Sequence, residues 1–156
     1  MNKIITFLLA LAVMLPIGAA AKDKNDGKLN YEISQAGVGN QGTYAVKVTV
    51  ISKDKKVSDD LIARCAVHGA LFRGVGSKGP IAGSAAAEAQ HADYFQNFFA
   101  PNGPARNYVS EVSPQRDVLK VNKKEYRVTK IVSINKDQLR KDLEAAGVIK
   151  GLNSIF

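Results

Sequence analysis

The sequence predicts an α+β domain: a mainly antiparallel sheet of about five strands, in the order ββααβββα, with the helices packed on one face. Three observations carry this. Five stretches have strand patterning, and the clearest of them alternate apolar and polar residues with a period of two. The links between successive strands are short and carry turn residues, Gly and Asn in the first, Pro114 in the second and Asn and Lys in the third, which suits hairpins and antiparallel pairing. Between the two groups of strands, Ser58 to Phe99 switches to the three-and-four spacing of amphipathic helices.

The chain opens on a targeting pattern. Lys3 precedes the apolar run Ile4 to Leu15, followed by Pro16, Gly18 and the small residues Ala19, Ala20 and Ala21. A positive start, an apolar middle and small residues at the cleavage site make residues 1–21 a signal peptide, cut before Lys22. The apolar run is shorter than the roughly 20 residues of a spanning helix. Lys22 to Lys28 holds no apolar residue and reads as a disordered lead-in to a single domain at 29–156.

The first strand is Leu29 to Ser34, with Leu29, Tyr31 and Ile33 on one face. A link with three glycines leads to Thr43 to Ser52, where Tyr44, Val46, Val48 and Val50 share a face. After the charged turn Lys53 to Lys56, Ser58 offers an N-cap, and Asp59 and Asp60 place negative charge in the first helical turn. Leu61, Cys65, His68 and Phe72 make the apolar stripe of that helix, which Gly74 stops. The Gly-containing loop Gly74 to Gly83 is expected to be the mobile part of this helical stretch. A second helix then runs from Ser84 to about Phe99, with Ala87, His91, Phe95 and Phe98 on its inner stripe, ended by Pro101 to Pro104. Tyr108 to Val112, Val118 to Val121 and Tyr126 to Ile134 are the remaining strands, the last two forming a hairpin across Asn122 to Glu125. Asn135 caps the last helix, with Gln138 placed to reach back to it; Leu139, Leu143 and Ala146 form its stripe. An apolar tail, including Val148, Ile149, Leu152, Ile155 and Phe156, docks on the body.

Composition narrows the function. The formal charge is +8, and the leader holds only Lys3, so the mature chain of about 135 residues carries a surplus of about +7. That surplus suits an anionic partner. The basic residues are scattered, however, and only Lys55-Lys56 and Lys123-Lys124 are adjacent pairs, both at expected turns. With no Trp, and no tyrosines interleaved with Arg, nucleic acid is not an expected partner. No later stretch reaches the ~18 consecutive apolar residues of a membrane helix.

Two matches to G-x-G-x-x-G, at Gly37, Gly39 and Gly42 and at Gly74, Gly76 and Gly79, lack the strand before and the helix behind that a nucleotide phosphate requires. No serine elbow or carboxylate dyad stands out, and no cofactor is implied. The one candidate constellation is Cys65, His68, Glu88 and His91. Each pair is three residues apart on one helical face, so a helical hairpin would let all four converge. Thiolate, imidazole and carboxylate are zinc ligands, with four filling a closed site. Alternatively, Cys65 would be a nucleophile with His68 or His91 as its base. Against both readings, a hydrogen-bonded histidine or a buried free cysteine on an apolar stripe is the commoner occupant.

The segments AVHGALFRG, from Ala66 to Gly74, and PIAGSAAAEAQHADYFQNFF, from Pro80 to Phe99, resemble small exported proteins of Bacteroidales-type bacteria. The resemblance covers most of the mature chain. It implies an envelope setting and no catalytic residue. The expectation is therefore an exported, periplasmic or cell-surface, non-enzymatic domain that binds an envelope protein or an anionic polymer. The alternative is a small metal- or thiol-dependent enzyme centred on Cys65, His68, Glu88 and His91.

Overall fold

The computed structural model describes residues 29–83, 85–114 and 117–151. They run β1 (Tyr31–Gln35), β2 (Thr43–Ser52), α1 (Asp59–Phe72), α2 (Ala85–Gln90) and α3 (Ala92–Phe98). A 3-10 turn at Pro104–Tyr108 then leads to β3 (Val109–Val112), β4 (Asp117–Lys120), β5 (Tyr126–Asn135) and α4 (Lys136–Ala145). The expected signal peptide and lead-in, the Ser84 cap, and Leu152, Ile155 and Phe156 of the tail lie outside the described residues.

All strand pairings are antiparallel, and the α+β prediction holds in a five-stranded sheet. The ten-residue strands β2 and β5 form its spine, because alternate β-branched residues on each give a continuous apolar face. Val46, Val48 and Val50 meet Val132, Lys130 and Val128 across that pair, and every valine among them is fully or nearly fully buried. On the opposite face Thr49 and Thr129 hydrogen-bond at 2.9 Å. β1 adds to β2, while β3 and β4 both lie along the outer side of β5. They are two pieces of one edge row. Ser113 makes its last rung, its N–H donating to Ile131 O and its Oγ accepting from Ile131 N, both at 2.8 Å. Pro114 has no N–H to continue the ladder, so the row stops there.

α1 lies over the apolar face, touching β1, β2, β3 and β5. Ser58 caps it as expected, its Oγ accepting from Leu61 N at 3.2 Å. The single stripe read from the sequence understates its burial, for Ile62, Ala63, Ala66, Val67, Ala70 and Leu71 are also fully buried. The reason is a second apolar neighbour: Phe95, Phe98, Phe99 and Tyr108 form an aromatic layer, in which Phe95 and Phe99 pack against Phe72. Gly69 brings α1 close to β1, since a Cβ there would lie 2.6 Å from Ile33 Cδ1 and 3.1 Å from Tyr31 Cε2. Lys130 projects from the covered face of β5, and its Nζ donates to Asp59 Oδ1 at 2.6 Å at the start of α1.

Two expectations are corrected and one is qualified. The helix from Ser84 to Phe99 is split at His91, whose backbone (φ −120°, ψ 38°) leaves the helical region between α2 and α3. Phe95 and Phe98 fix α3 in the core, whereas Ala86, Ala87 and Ala89 of α2 have little apolar surface to bury. The glycine loop 74–83, expected to be mobile, carries more backbone bonding than its composition implies. Val75 and Lys78 exchange two backbone hydrogen bonds of 2.9 Å, and Ile81 and Ala82 donate to Ala70 O and Leu71 O at the end of α1. Gly74, at φ +82°, makes that turn possible, because a Cβ there would lie 2.4 Å from Lys78 O. In α4, Asn135 Oδ1 accepts from Gln138 N at 3.2 Å, but the Gln138 side chain reaches forward to Asp142 at 2.7 Å and does not close a capping box.

Candidate functional site

Of the four residues that tempt from the sequence, the structure joins two. His68, on the outer side of α1, is 3.0 Å from Glu88 Oε1 through its Nε2, and this contact anchors α2 to the body. Its Nδ1 is 2.6 Å from the Tyr31 hydroxyl of β1. Cys65 lies one turn earlier, 1% exposed. His91 stands at the helix break, partly exposed, with no side-chain hydrogen bond to the helix it precedes. Among the described residues no group of three or more His, Cys, Asp or Glu side chains is placed to hold a metal ion. The convergence that the zinc and thiol-enzyme alternatives require is not found among the described residues.

The electrostatics around His68 suit a packed histidine. Burial pushes its imidazolium below the usual range, and Arg73 adds to this, while Glu88 opposes them. The Glu88 side chain is 37% exposed, so solvent screens its pull, and burial among the rings of Tyr31, Phe72 and Phe99 prevails. Burial raises the Tyr31 phenol well above its usual value, so the hydroxyl stays protonated. On that basis we assign Tyr31 as donor to Nδ1 and Nε2–H as donor to Glu88. Both ring nitrogens are then occupied. Arg73 holds the other side of Tyr31, with its guanidinium 4.1 Å from the ring centroid and Nη1 donating to Tyr31 O at 2.7 Å. The Cys65 thiol is pushed up to about 12 by burial. Nucleophiles and metal ligands are thiolates, so at neutral pH this side chain is a small apolar filler.

A different site emerges at one corner of the sheet. The register sets Ser52 beside Tyr126 and Tyr126 beside Lys120, so the turn after β2 and the β4–β5 turn are neighbours. Lys55, Val118, Lys120 and Tyr126 line a cleft of about 330 Å³. Lys55 Nζ stands 5.6 Å from the centre of the Tyr126 ring, an arrangement in which cation and aromatic face attract. Lys53, Lys56, Lys123 and Lys124 lie on the same two turns, all exposed. The carboxylates of these two turns are Asp54 and Glu125, and Glu125 accepts from Asn122 Nδ2 at 2.6 Å. None of the six lysines is in an ion pair among the described residues.

The Lys55-Lys56 and Lys123-Lys124 pairs are visible in the sequence, but not that the turns bearing them are neighbours. The signal was available in the two turn positions, once Ser52 and Tyr126 are paired. No protein-family model, curated protein or solved structure matches the chain.

Proposed function

We propose that the protein is an exported, non-enzymatic binding domain of the bacterial envelope that takes an anionic polymer at the lysine-lined corner. The observation that carries this reading is the cleft itself, in which Lys55 and Lys120 flank Tyr126 with no carboxylate paired to either lysine among the described residues. Unpaired ammonium groups at a concave, partly apolar surface attract a polyanion over a range set by ionic strength. The leader-like first 21 residues, and the resemblance to exported Bacteroidales-type proteins, support the envelope setting. Chemistry at Cys65, His68, Glu88 and His91 draws no support from the geometry, since the thiol is buried and protonated and His68 has both nitrogens engaged.

Chromatography on an immobilised polyanion such as dextran sulfate tests the binding. The wild-type chain is expected to be retained at low salt, and the double variant Lys55→Glu/Lys120→Glu to elute in the flow-through with an unchanged circular dichroism spectrum. Equal retention of the two would overturn the site. Fractionation of cells producing a tagged full chain tests the setting, and retention in the cytoplasm would overturn it.

A further inference from the structure

We infer that the β4–β5 corner docks on an anionic lipid bilayer, with Leu119 and Val121 entering the headgroup region and the surrounding lysines meeting lipid phosphates. This deepens the reading above and rests on its premise that the corner meets an anion. Lysines alone would fit any polyanion. The apolar residues decide between them. Leu119 is 62% exposed, Val121 54% and Val118 36%, and they fall within four residues of one another at the end of a hairpin. All four residues of β4 are exposed, so the strand is held to β5 by its ladder and by little side-chain packing. Leu119 and Val121 therefore add little to the core, although polar residues would serve the ladder as well. A soluble sugar or phosphate polymer meets the lysines but leaves Leu119 and Val121 in water. A bilayer does, because its interface takes apolar side chains below the headgroups and cationic ones at them.

Two further features fit this occupant. Tyr126 is half-buried beside the cleft, and an aromatic ring with a polar tip suits the membrane interface. Ile51 is 38% exposed, and the register places it with Leu119 on either side of Arg127, on the sheet face that bears Thr49 and Thr129. Val118, paired with Val128, lies on the opposite face, so the end of the hairpin presents apolar groups on both faces, as a wedge pointed into an interface does. A second copy of the chain is a poorer occupant. The edge row is shifted in register between Val109 and Glu111, interrupted at Pro114, and only four residues long in β4, which removes the extended template that strand addition requires. No described helix is long and apolar enough to cross a membrane.

Vesicle co-sedimentation tests the inference, using chain recovered from the exported fraction so that wild type and variants share every segment outside the hairpin. Wild type is expected to partition onto vesicles of equal parts phosphatidylglycerol and phosphatidylcholine, and not onto pure phosphatidylcholine. The double variant Leu119→Ser/Val121→Ser should partition about tenfold less while keeping its thermal unfolding midpoint, since binding scales with apolar area inserted. No partition by the wild type, or equal partition by the double variant, overturns the bilayer. The same variant run on dextran sulfate separates the two readings. Retention there together with wild-type failure on vesicles leaves the anionic-polymer site standing and removes the membrane, whereas loss of wild-type binding to both retires both.

Discussion

At the scale of the residue, side chains are held in place by neighbours a few residues on or by partners brought from across the sheet. Ser58 and Asn135 cap helices because a short side-chain oxygen reaches an amide three residues on, and that can be read from spacing. The partners of His68 could not be read, because Tyr31 lies 37 residues away and arrives through the sheet. Those partners set a pH response. The folded state holds the His68 imidazolium below its usual 6.5, so the unfolded chain binds the proton more readily. Stability is therefore fully present above about 6.5 and is lost as pH falls from there toward the lower folded value. Urea unfolding at pH 7.5 and pH 5.5 should show wild type losing more stability on acidification than His68→Gln, whose side chain does not titrate. Identical losses in the two proteins would mean that His68 is not held neutral by its surroundings.

At the scale of the element, periodicity found the strands and helices but misjudged how many neighbours each helix has. The stripe Leu61, Cys65, His68 and Phe72 describes a helix covered on one side, whereas α1 is pressed between the sheet and the aromatic layer, and its small residues let both approach. Gly69 shows the consequence. Propensity alone would replace a mid-helix glycine by alanine and gain up to about 1 kcal/mol. Here the new methyl would meet Ile33 Cγ2 at 3.0 Å as well as Cδ1 at 2.6 Å, and the ring of Tyr31, which is pinned by His68 and Arg73. Overpacking of this kind costs about 1–3 kcal/mol, so Gly69→Ala should lose about 1 kcal/mol net. Adding Ile33→Val removes the closest atom and should recover part of that loss. A Gly69→Ala protein more stable than wild type would show that β1 shifts freely, which the anchored Tyr31 opposes.

At the scale of the whole molecule, the fold class was readable because strand periods and short links restrict the topology, but the lysine corner exists only through register. Two lysine pairs far apart in sequence, each unremarkable in a turn, become one field when Ser52 pairs with Tyr126 and Tyr126 with Lys120. Such a field opposes the fold that creates it, since like charges on neighbouring turns repel and no carboxylate among the described residues pairs with them. If the lysines served stability, reversing one would weaken the protein; if they serve a partner, reversal relieves repulsion and removes binding. Lys120→Glu and Lys124→Glu should therefore unfold at the same temperature as wild type or slightly higher at low salt, by about 0.5 kcal/mol at most. The difference should shrink as added salt screens the corner. Retention on the polyanion should fall in the same variants. Thermal melts at two ionic strengths beside the binding assay measure both quantities, and a variant that lost stability and binding together would return these lysines to a structural role.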